Sequence, residues 1–530
     1  MNLIPIKRAL LSVSDKTNLI PLAQTLVQMG CEIISTGGTR KQLDEAGISS
    51  IEISTVTGNP EAFGGRMKTI SFHIESALLF DREKDAQEAM DLGIAPIDLV
   101  VCNLYPFKKV LEQGGSFEEL IENIDIGGPT MIRAAAKNFK YVTVLVDPTD
   151  YPSFIEESKS NAAVSLPFRQ KMMAKAFNHC ADYDAMIAVE MDKSLGQHSV
   201  RLAFDQGMSL RYGENSHQKA WFFREKKDTN SLFDFEILHG KELSFNNIMD
   251  INSALEALKG LDNSACSVVK HNNPCGLASG ENQKDIIAYA WGGDSISAFG
   301  SIIAFNRPLE LETAKFFQLD HENKSMRKFI EVIIAPAFSP EALTYLQQHK
   351  NLRIIRFDGQ QLNQTLDYRF LNGSLLVQDT DQILMQDAKS VTGQNFDLDA
   401  HQDLVRFGLS AIRAIKSNSI VLVRRINNHL QLLGMGAGQP NRLIATKLAI
   451  DKAKENLKDL SEEERKEQLS AAVMVSDAFF PFEDNVELAA AEGIRNIVQP
   501  GGSIRDPQII ETCNRYQIAM IFTGIRHFKH

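Results

Sequence analysis

Apolar and polar positions alternate along the first forty residues in a strand, helix, strand order. Residues 9–13 form a short apolar run, 16–29 carry apolar residues at helical spacing, and 31–34 are apolar again. Two β-branched runs follow at 97–102 and 141–146, with a helical pattern over 131–138 ahead of the second. The alternation resumes in the second half, where strands are predicted at 267–270, 301–305, 331–335, 419–423, 472–475 and 518–522. Strands interleaved with helices predict an α/β layer fold with a parallel sheet. A polar stretch at 190–199 marks the expected boundary between a domain of residues 1–198 and one of residues 199–530. The charged segment 451–468 reads as a solvated helix with i,i+4 ion pairs, and no short-period repeat is visible.

Composition narrows the partners. A chain of 530 residues can bury several cores without disulfide or metal staples. Its 56 Lys and Arg against 67 Asp and Glu leave a formal net charge of −11. That balance argues against a nucleic-acid polymer, so any anionic ligand must be held by a local arrangement. The six cysteines are dispersed without a C-x-x-C, the N-terminus has no signal-peptide pattern, and no stretch of 18 apolar residues occurs. A soluble cytoplasmic protein with reduced thiols is expected.

Glycine is not enriched, but it is paired at Gly37-Gly38, Gly64-Gly65, Gly114-Gly115, Gly127-Gly128, Gly292-Gly293 and Gly501-Gly502. Such pairs either make plain turns or let backbone N–H groups approach a ligand. Ser35-Thr36-Gly37-Gly38-Thr39-Arg40 lies between a predicted strand and a helical segment at 41–46, where hydroxyls, bare backbone and a helix N-terminus suit a phosphate. Ser12-Val13-Ser14-Asp15-Lys16 ends the preceding strand, and a parallel sheet would bring both loops to one edge. Gly64-Gly65-Arg66-Met67-Lys68-Thr69 adds two cations, and Asn123-Ile124-Asp125-Ile126-Gly127-Gly128-Pro129 opens the helical run containing Lys137. A Lys and an Asp brought together can divide acid and base roles, or can form a plain surface ion pair.

In the second half, Lys270-His271 sits at a strand end ahead of a Pro274-Cys275-Gly276 turn, as an acid/base pair or as a structural feature. Gly434-Met435-Gly436-Ala437-Gly438-Gln439 imitates a dinucleotide fingerprint, but Gln439 stands where the last glycine belongs. His73-Ile74-Glu75 and Pro274-Cys275 imitate parts of a zinc deaminase signature without its second cysteine. No catalytic metal is expected.

These motifs carry a resemblance. S-V-S-D-K at 12–16, S-T-G-G-T at 35–39, G-G-R-M-K-T at 64–69, C-N-L-Y-P-F at 102–107 and N-I-D-I-G-G-P at 123–129 occur in order. R-Y-G-E-N, K-H-N-N-P-C-G, S-A-F-G, K-S-N, G-A-G-Q, S-D-A-F-F-P-F, Q-P-G-G-S and R-H-F-K-H follow. The chain resembles, over essentially its full length, the family that fuses phosphoribosylaminoimidazolecarboxamide (AICAR) formyltransferase to IMP cyclohydrolase in purine biosynthesis. The resemblance implies a methylglyoxal-synthase-like N-terminal parallel-sheet domain and a C-terminal transformylase region of two deaminase-like α/β subdomains without zinc. It also implies 10-formyltetrahydrofolate as co-substrate, AICAR, formyl-AICAR and IMP as ligands, and a homodimer with no nucleic-acid or membrane partner.

By the same resemblance, Lys270 and His271 serve formyl transfer, and Lys68, Tyr105, Asp125 and Lys137 serve ring closure. Ser12, Ser14, Lys16, Ser35, Thr36, Gly37, Gly38, Thr39, Arg66 and Thr69 would hold the cyclohydrolase substrate. Arg211, Tyr212, Asn418, Arg442, Arg526 and Phe528 would hold the transferase nucleotide. Gly300, Glu331, Phe479, Asp484 and Ser503 would line the folate side. The chain departs from the family where Ser71-Phe72 replaces the usual His-Pro and Ser76-Ala77 the usual glycine pair. Ser216 stands for a usual Pro and Phe245 for a usual Tyr. A monofunctional transferase with an impaired first domain, and a nucleotide-binding regulatory protein without turnover, are the competing readings.

Overall fold

A computed structural model describes residues 2–60, 62–63, 66–226, 230–394 and 396–530. The chain divides into two compact units, Met1–Ala203 and Phe204–His530. The polar stretch at 190–199 is only in part a linker, because its first residues finish the long helix Leu166–Ser194.

The first unit is built on a five-stranded parallel sheet in the order Ile51–Glu52, Glu32–Ser35, Arg8–Val13, Leu99–Asn103, Thr143–Leu145. The central strands are apolar almost throughout because both faces are covered, and Leu10, Leu11, Leu99 and Val100 are fully buried. Strand order reverses between Arg8–Val13 and Leu99–Asn103, which opens a crevice at their carboxyl ends. The expected helix at 16–29 begins later, at Leu19–Gln28, and the one at 131–138 begins earlier, at Gly127–Lys137. Glycine and proline at 127–129 do not read as helix, yet they suit the first turn, where backbone N–H groups need no intrahelical partner.

The second unit carries a twelve-stranded mixed sheet whose centre is an internal duplication. Its first half runs helix Phe245–Leu258, hairpin Ser264–Lys270 and Asn273–Gly280, helix Gln283–Trp291, then parallel strands Ser301–Phe305, Ile330–Ala335 and Arg353–Arg356. Its second half repeats that order with helix Gln402–Arg413, hairpin Ile420–Ile426 and His429–Gly436, and helix Arg442–Asn456. Parallel strands Val473–Ser476, Asn496–Gln499 and Ala519–Phe522 complete it. The halves join antiparallel, with Ala278 opposite Gln431. The duplication leaves a trace in sequence, since Ser253-Ala254-Leu255-Glu256-Ala257-Leu258-Lys259 matches Ser410-Ala411-Ile412-Arg413-Ala414-Ile415-Lys416 in four of its positions and in the apolar character of two more. Its period is too long to emerge from a scan for short repeats.

Two expectations need correction. Pro274-Cys275-Gly276 is not a turn but the start of a strand, with Pro274 opposite Val269 beside a bulge that tolerates its missing N–H. The segment 451–468 is not one helix: helix Arg442–Asn456 ends, and Ser461 opens helix Glu462–Ala471 through a capping box with Glu464. Gly64 and Gly65 lie outside the described residues. No helix of the described residues is long and apolar enough to cross a membrane.

Candidate active sites

In the first unit, three loops converge on the crevice. Ser12 Oγ lies 3.1 Å from Thr36 Oγ1, and Thr39 Oγ1 accepts the Val13 N–H at 3.0 Å. The buried Ser35 hydroxyl donates to the Leu11 carbonyl at 3.3 Å, so it ties strands together and is not free to meet a ligand. Thr36 precedes helix Gly37–Glu45 without capping it through its side chain, which leaves the first N–H groups open to an anion. A β-carbon at Gly37 would lie 3.9 Å from Lys68 Nζ, and one at Gly38 would lie 4.0 Å from Lys16 Nζ. Two ammonium groups and a helix N-terminus therefore meet over the glycine pair. Asn103, at the end of the neighbouring strand, braces this cradle: its Oδ1 accepts the Ser14 and Asp15 N–H groups at 2.6 and 2.8 Å. Ser14 thus enters the site with its amide already spent.

Beside the cradle, Asp125 accepts the Gly128 N–H at 2.7 Å and the Tyr105 N–H at 3.3 Å. Burial pushes its carboxyl above the usual range, and those two amides oppose the shift. Thr69 is buried against Gly127, where a β-carbon would collide with its hydroxyl. Arg66 is exposed and ion-paired with Glu122. Tyr105 is exposed at the rim. Lys137 is not brought to this group. It occupies the last turn of helix Gly127–Lys137, whose length of about 15 Å separates it from Asp125 at the other end. Ser71, in place of the usual His, accepts the Ile74 N–H at 3.2 Å and caps helix Phe72–Leu79.

In the second unit, the antiparallel junction gives one edge of the large sheet two kinds of ends. The hairpin turn and strand starts of the first half lie there with the strand ends of the second half. Lys270, His271, Gly300, Glu331, Asn418, Phe479, Ser503, Arg526 and Phe528 all flank this edge, although the sequence scatters them over more than half the unit. Lys270 Nζ donates to the carbonyls of Phe299 at 2.7 Å and Gly300 at 3.3 Å. Gly300 has φ +72°, and a β-carbon there would press on Lys270 Nζ and the Phe329 ring. The Arg211 guanidinium lies 5.4 Å from the Tyr212 ring centre. Glu331 Oε2 accepts from Asn247 at 3.1 Å and pairs with the buried Arg353 at 3.7 Å.

On the other half of the edge, the fully buried Asp477 organises the residues that the resemblance assigns to the nucleotide. It pairs with Arg442 at 2.8 Å and accepts the Ser419 N–H at 3.1 Å, while Arg442 also donates to Asn418 Oδ1 at 2.7 Å and Phe479 O at 3.3 Å. The C-terminal tail is clasped to the same place. The His527 N–H donates to Asp477 O at 2.8 Å, and its buried ring bridges Asp381 at 2.7 Å and the Leu384 carbonyl at 2.9 Å. That clasp presents Arg526 and Phe528 to solvent with the guanidinium 4.7 Å from the ring centre. Asp484 borders a separate cavity of about 440 Å³ lined by Leu443, Ile444, Lys447 and Leu488. Ser503 Oγ accepts the Arg505 N–H at 3.1 Å.

Sequence reasoning passed over Asn103, Asp477 and His527, although each stands inside a quoted motif. It had no signal for Arg353, whose pairing with Glu331 arises only from packing. Among the described residues no group of three or more His, Cys, Asp or Glu is placed to hold a metal.

Comparison with known proteins bears on both units. The AICARFT/IMPCHase bienzyme model matches residues 135–452, and the MGS-like domain model matches residues 18–130. The bifunctional purine biosynthesis protein PurH of Acetivibrio thermocellus is 44% identical over 99% of this chain and 100% of its own length. Those of Ligilactobacillus salivarius and Persephonella marina are 43% and 41% identical over the same shares. On this full-length kinship, the chain belongs to the AICARFT/IMPCHase bienzyme family.

Proposed function

We propose that this chain transfers a formyl group from 10-formyltetrahydrofolate to the 5-amino group of AICAR and then closes formyl-AICAR to IMP with loss of water. The observation that carries this reading is full-length kinship with the bifunctional relatives, at 44% identity over 99% of the chain.

The AICAR amine is a poor nucleophile because its lone pair is delocalised into the ring carboxamide. His271 takes its proton as the nitrogen attacks the formyl carbon, and the folate N10 receives a proton as it leaves. Two of the three Lys270 ammonium protons are spent on the Phe299 and Gly300 carbonyls. The third is aimed at the oxygen that gains charge in the tetrahedral intermediate. Arg211, Tyr212, Asn418, Arg442, Arg526 and Phe528 hold the nucleotide, and Gly300, Glu331, Phe479 and Ser503 face the folate, whereas Asp484 borders a separate cavity and is left out of the site.

For ring closure, the cradle formed by Ser12, Ser14, Thr36, Gly37, Gly38, Thr39, Lys16 and Lys68 takes the phosphate, with Arg66 at its rim. The carboxamide nitrogen attacks the formyl carbon, and Lys68 and Tyr105 meet the developing oxyanion. Asp125, with its raised pKa, exchanges the protons that leave as water. Lys137 stands apart, so ring closure is assigned to the three residues at the sheet edge. Ser71 supports retention of this activity: it starts the helix beyond Lys68 by capping, and Thr69 stays anchored against Gly127.

The working form in this reading is a cytoplasmic homodimer. Its support is the hairpin Leu366–Leu371 and Ser374–Asp379, which leaves Phe370 74% and Leu376 58% exposed.

Supplying AICAR and 10-formyltetrahydrofolate should yield IMP. Formyl-AICAR accumulating without IMP would instead mark a transferase alone, and absence of both products would refute catalysis. His271→Ala should abolish formyl transfer and leave closure of supplied formyl-AICAR intact. Equal loss of both activities would overturn the two-site assignment.

A further inference from the structure

The His271-Asn272 turn is conformationally unfavourable, and one buried carboxylate underlies it. Both residues have positive φ, 51° and 62°, as a two-residue hairpin between Lys270 and Asn273 requires. Asparagine and histidine tolerate positive φ better than most residues, but two such non-glycine positions in succession still carry a conformational cost. Beneath the turn lies Asp250 on helix Phe245–Leu258, buried at 8% exposure. Its Oδ1 accepts the Asn272 N–H at 2.6 Å, and the His271 N–H and the charges of Lys270 and His271 also act on it. The Asn272 side-chain amide reaches Ser253 Oγ at 3.2 Å, one helical turn further along the same helix.

The internal duplicate supplies the comparison. Its turn, Asn427-Asn428, has the same two positive φ values, 45° and 62°, but both residues are asparagine. The matched S-A-x-x-A-x-K segments put the buried Phe407 where Asp250 stands. The turn without a histidine does without the acid. The turn that carries His271 keeps it.

We propose that Asp250 is a positioning residue for formyl transfer: its carboxylate clamps the Asn272 N–H, holds the hairpin turn with positive φ, and so aims the His271 ring and the Lys270 ammonium at the reacting atoms. This rests on the assignment of His271 as the base in the proposed function. Asp250 touches no substrate, so its loss acts on turnover and not on nucleotide affinity.

The test uses the full chain with AICAR and 10-formyltetrahydrofolate. Asp250→Ala should lower the kcat of formyl transfer about 10- to 100-fold, the scale of a misaimed catalytic group, with the KM for AICAR within about twofold. Asp250→Asn, which keeps one oxygen for the Asn272 N–H, should fold and lose less. Adding Asn272→Gly to Asp250→Ala should recover part of the kcat, because glycine adopts positive φ without a clamp. An unchanged kcat, a loss confined to KM, an Asn variant as impaired as Ala, or no recovery with glycine would each overturn the proposal. His271→Ala, assayed alongside, separates the two claims: if it keeps transfer, the base assignment fails, and if it alone loses transfer, only the clamp does.

Discussion

Glu75 shows how a single side chain can be out of balance with its surroundings. It lies on helix Phe72–Leu79, and its Oε1 is buried without a hydrogen-bond partner among the described residues. Burial pushes its carboxyl from 4.5 up to about 7. The folded chain therefore holds a proton that the unfolded chain releases between those two values. Stability attributable to this group falls as pH rises through that window and is flat above about 7. Glu75→Gln should raise the thermal midpoint at pH 7.5 and do little at pH 4. With its solvent contact discounted, the gain is about 1–2 kcal/mol. Melting curves from pH 4 to 8 check it, and an equal effect at both ends would contradict the assignment. Asp125 has the same direction of shift, but two amides hold its charge, which suits the proton exchange proposed for it.

Strands and helices use glycine here for approach, in both copies of the duplicated motif. A β-carbon at Gly276 would collide with the Ala290 carbonyl of helix Gln283–Trp291. β-Carbons at Gly434 and Gly436 would meet the carbonyls of Ala449 and Ala445 on helix Arg442–Asn456. The G-x-G spacing that imitates a dinucleotide fingerprint is thus a strand face against which a helix lies close. Gly436→Ala should force helix and sheet apart and cost about 1–3 kcal/mol, read as a lower denaturation midpoint. An unchanged midpoint would mean that the helix shifts without penalty. Strand periodicity alone could not separate this use from phosphate binding. In the first unit, Gly37 and Gly38 open a helix beside two lysines, and only the partner across the gap distinguishes the cases.

At the scale of the molecule, the duplication explains why two similar halves supply unlike chemistry. Joined antiparallel, they bring opposite ends of their strands to one edge, so the first contributes Lys270-His271 and the second the Asp477–Arg442 network. The hairpin bearing Phe370 and Leu376 stands outside that sheet as a two-stranded ribbon, a form marginal in water unless something covers it. Replacing Phe370 and Leu376 together by Asp should convert the proposed homodimer to a monomer in light scattering. Because the family resemblance implies transferase sites shared across the interface of the proposed homodimer, formyl transfer should then fall at least about tenfold, while closure of supplied formyl-AICAR persists. A double variant that stays dimeric, or that loses neither activity, would count against this surface.

By itself, the sequence determined the α/β class, the positions of the main strands and the motifs that gather at two sheet edges. Apolar runs of buried parallel strands and glycine-hydroxyl loops are local signals, and each is complete within a few residues. Register, reversal and partner choice are not local. The hairpin at 271–272 was hidden because His-Asn lacks the glycine that usually marks such a turn, and Pro274 was read as punctuation when a bulge lets it begin a strand. The tertiary structure alone decided that Glu331 pairs with Arg353. It alone put Asp250 beneath His271, and Asp477 against the C-terminal tail at His527. A carboxylate acquires such a role from what is packed against it, and that packing joins segments far apart in the chain.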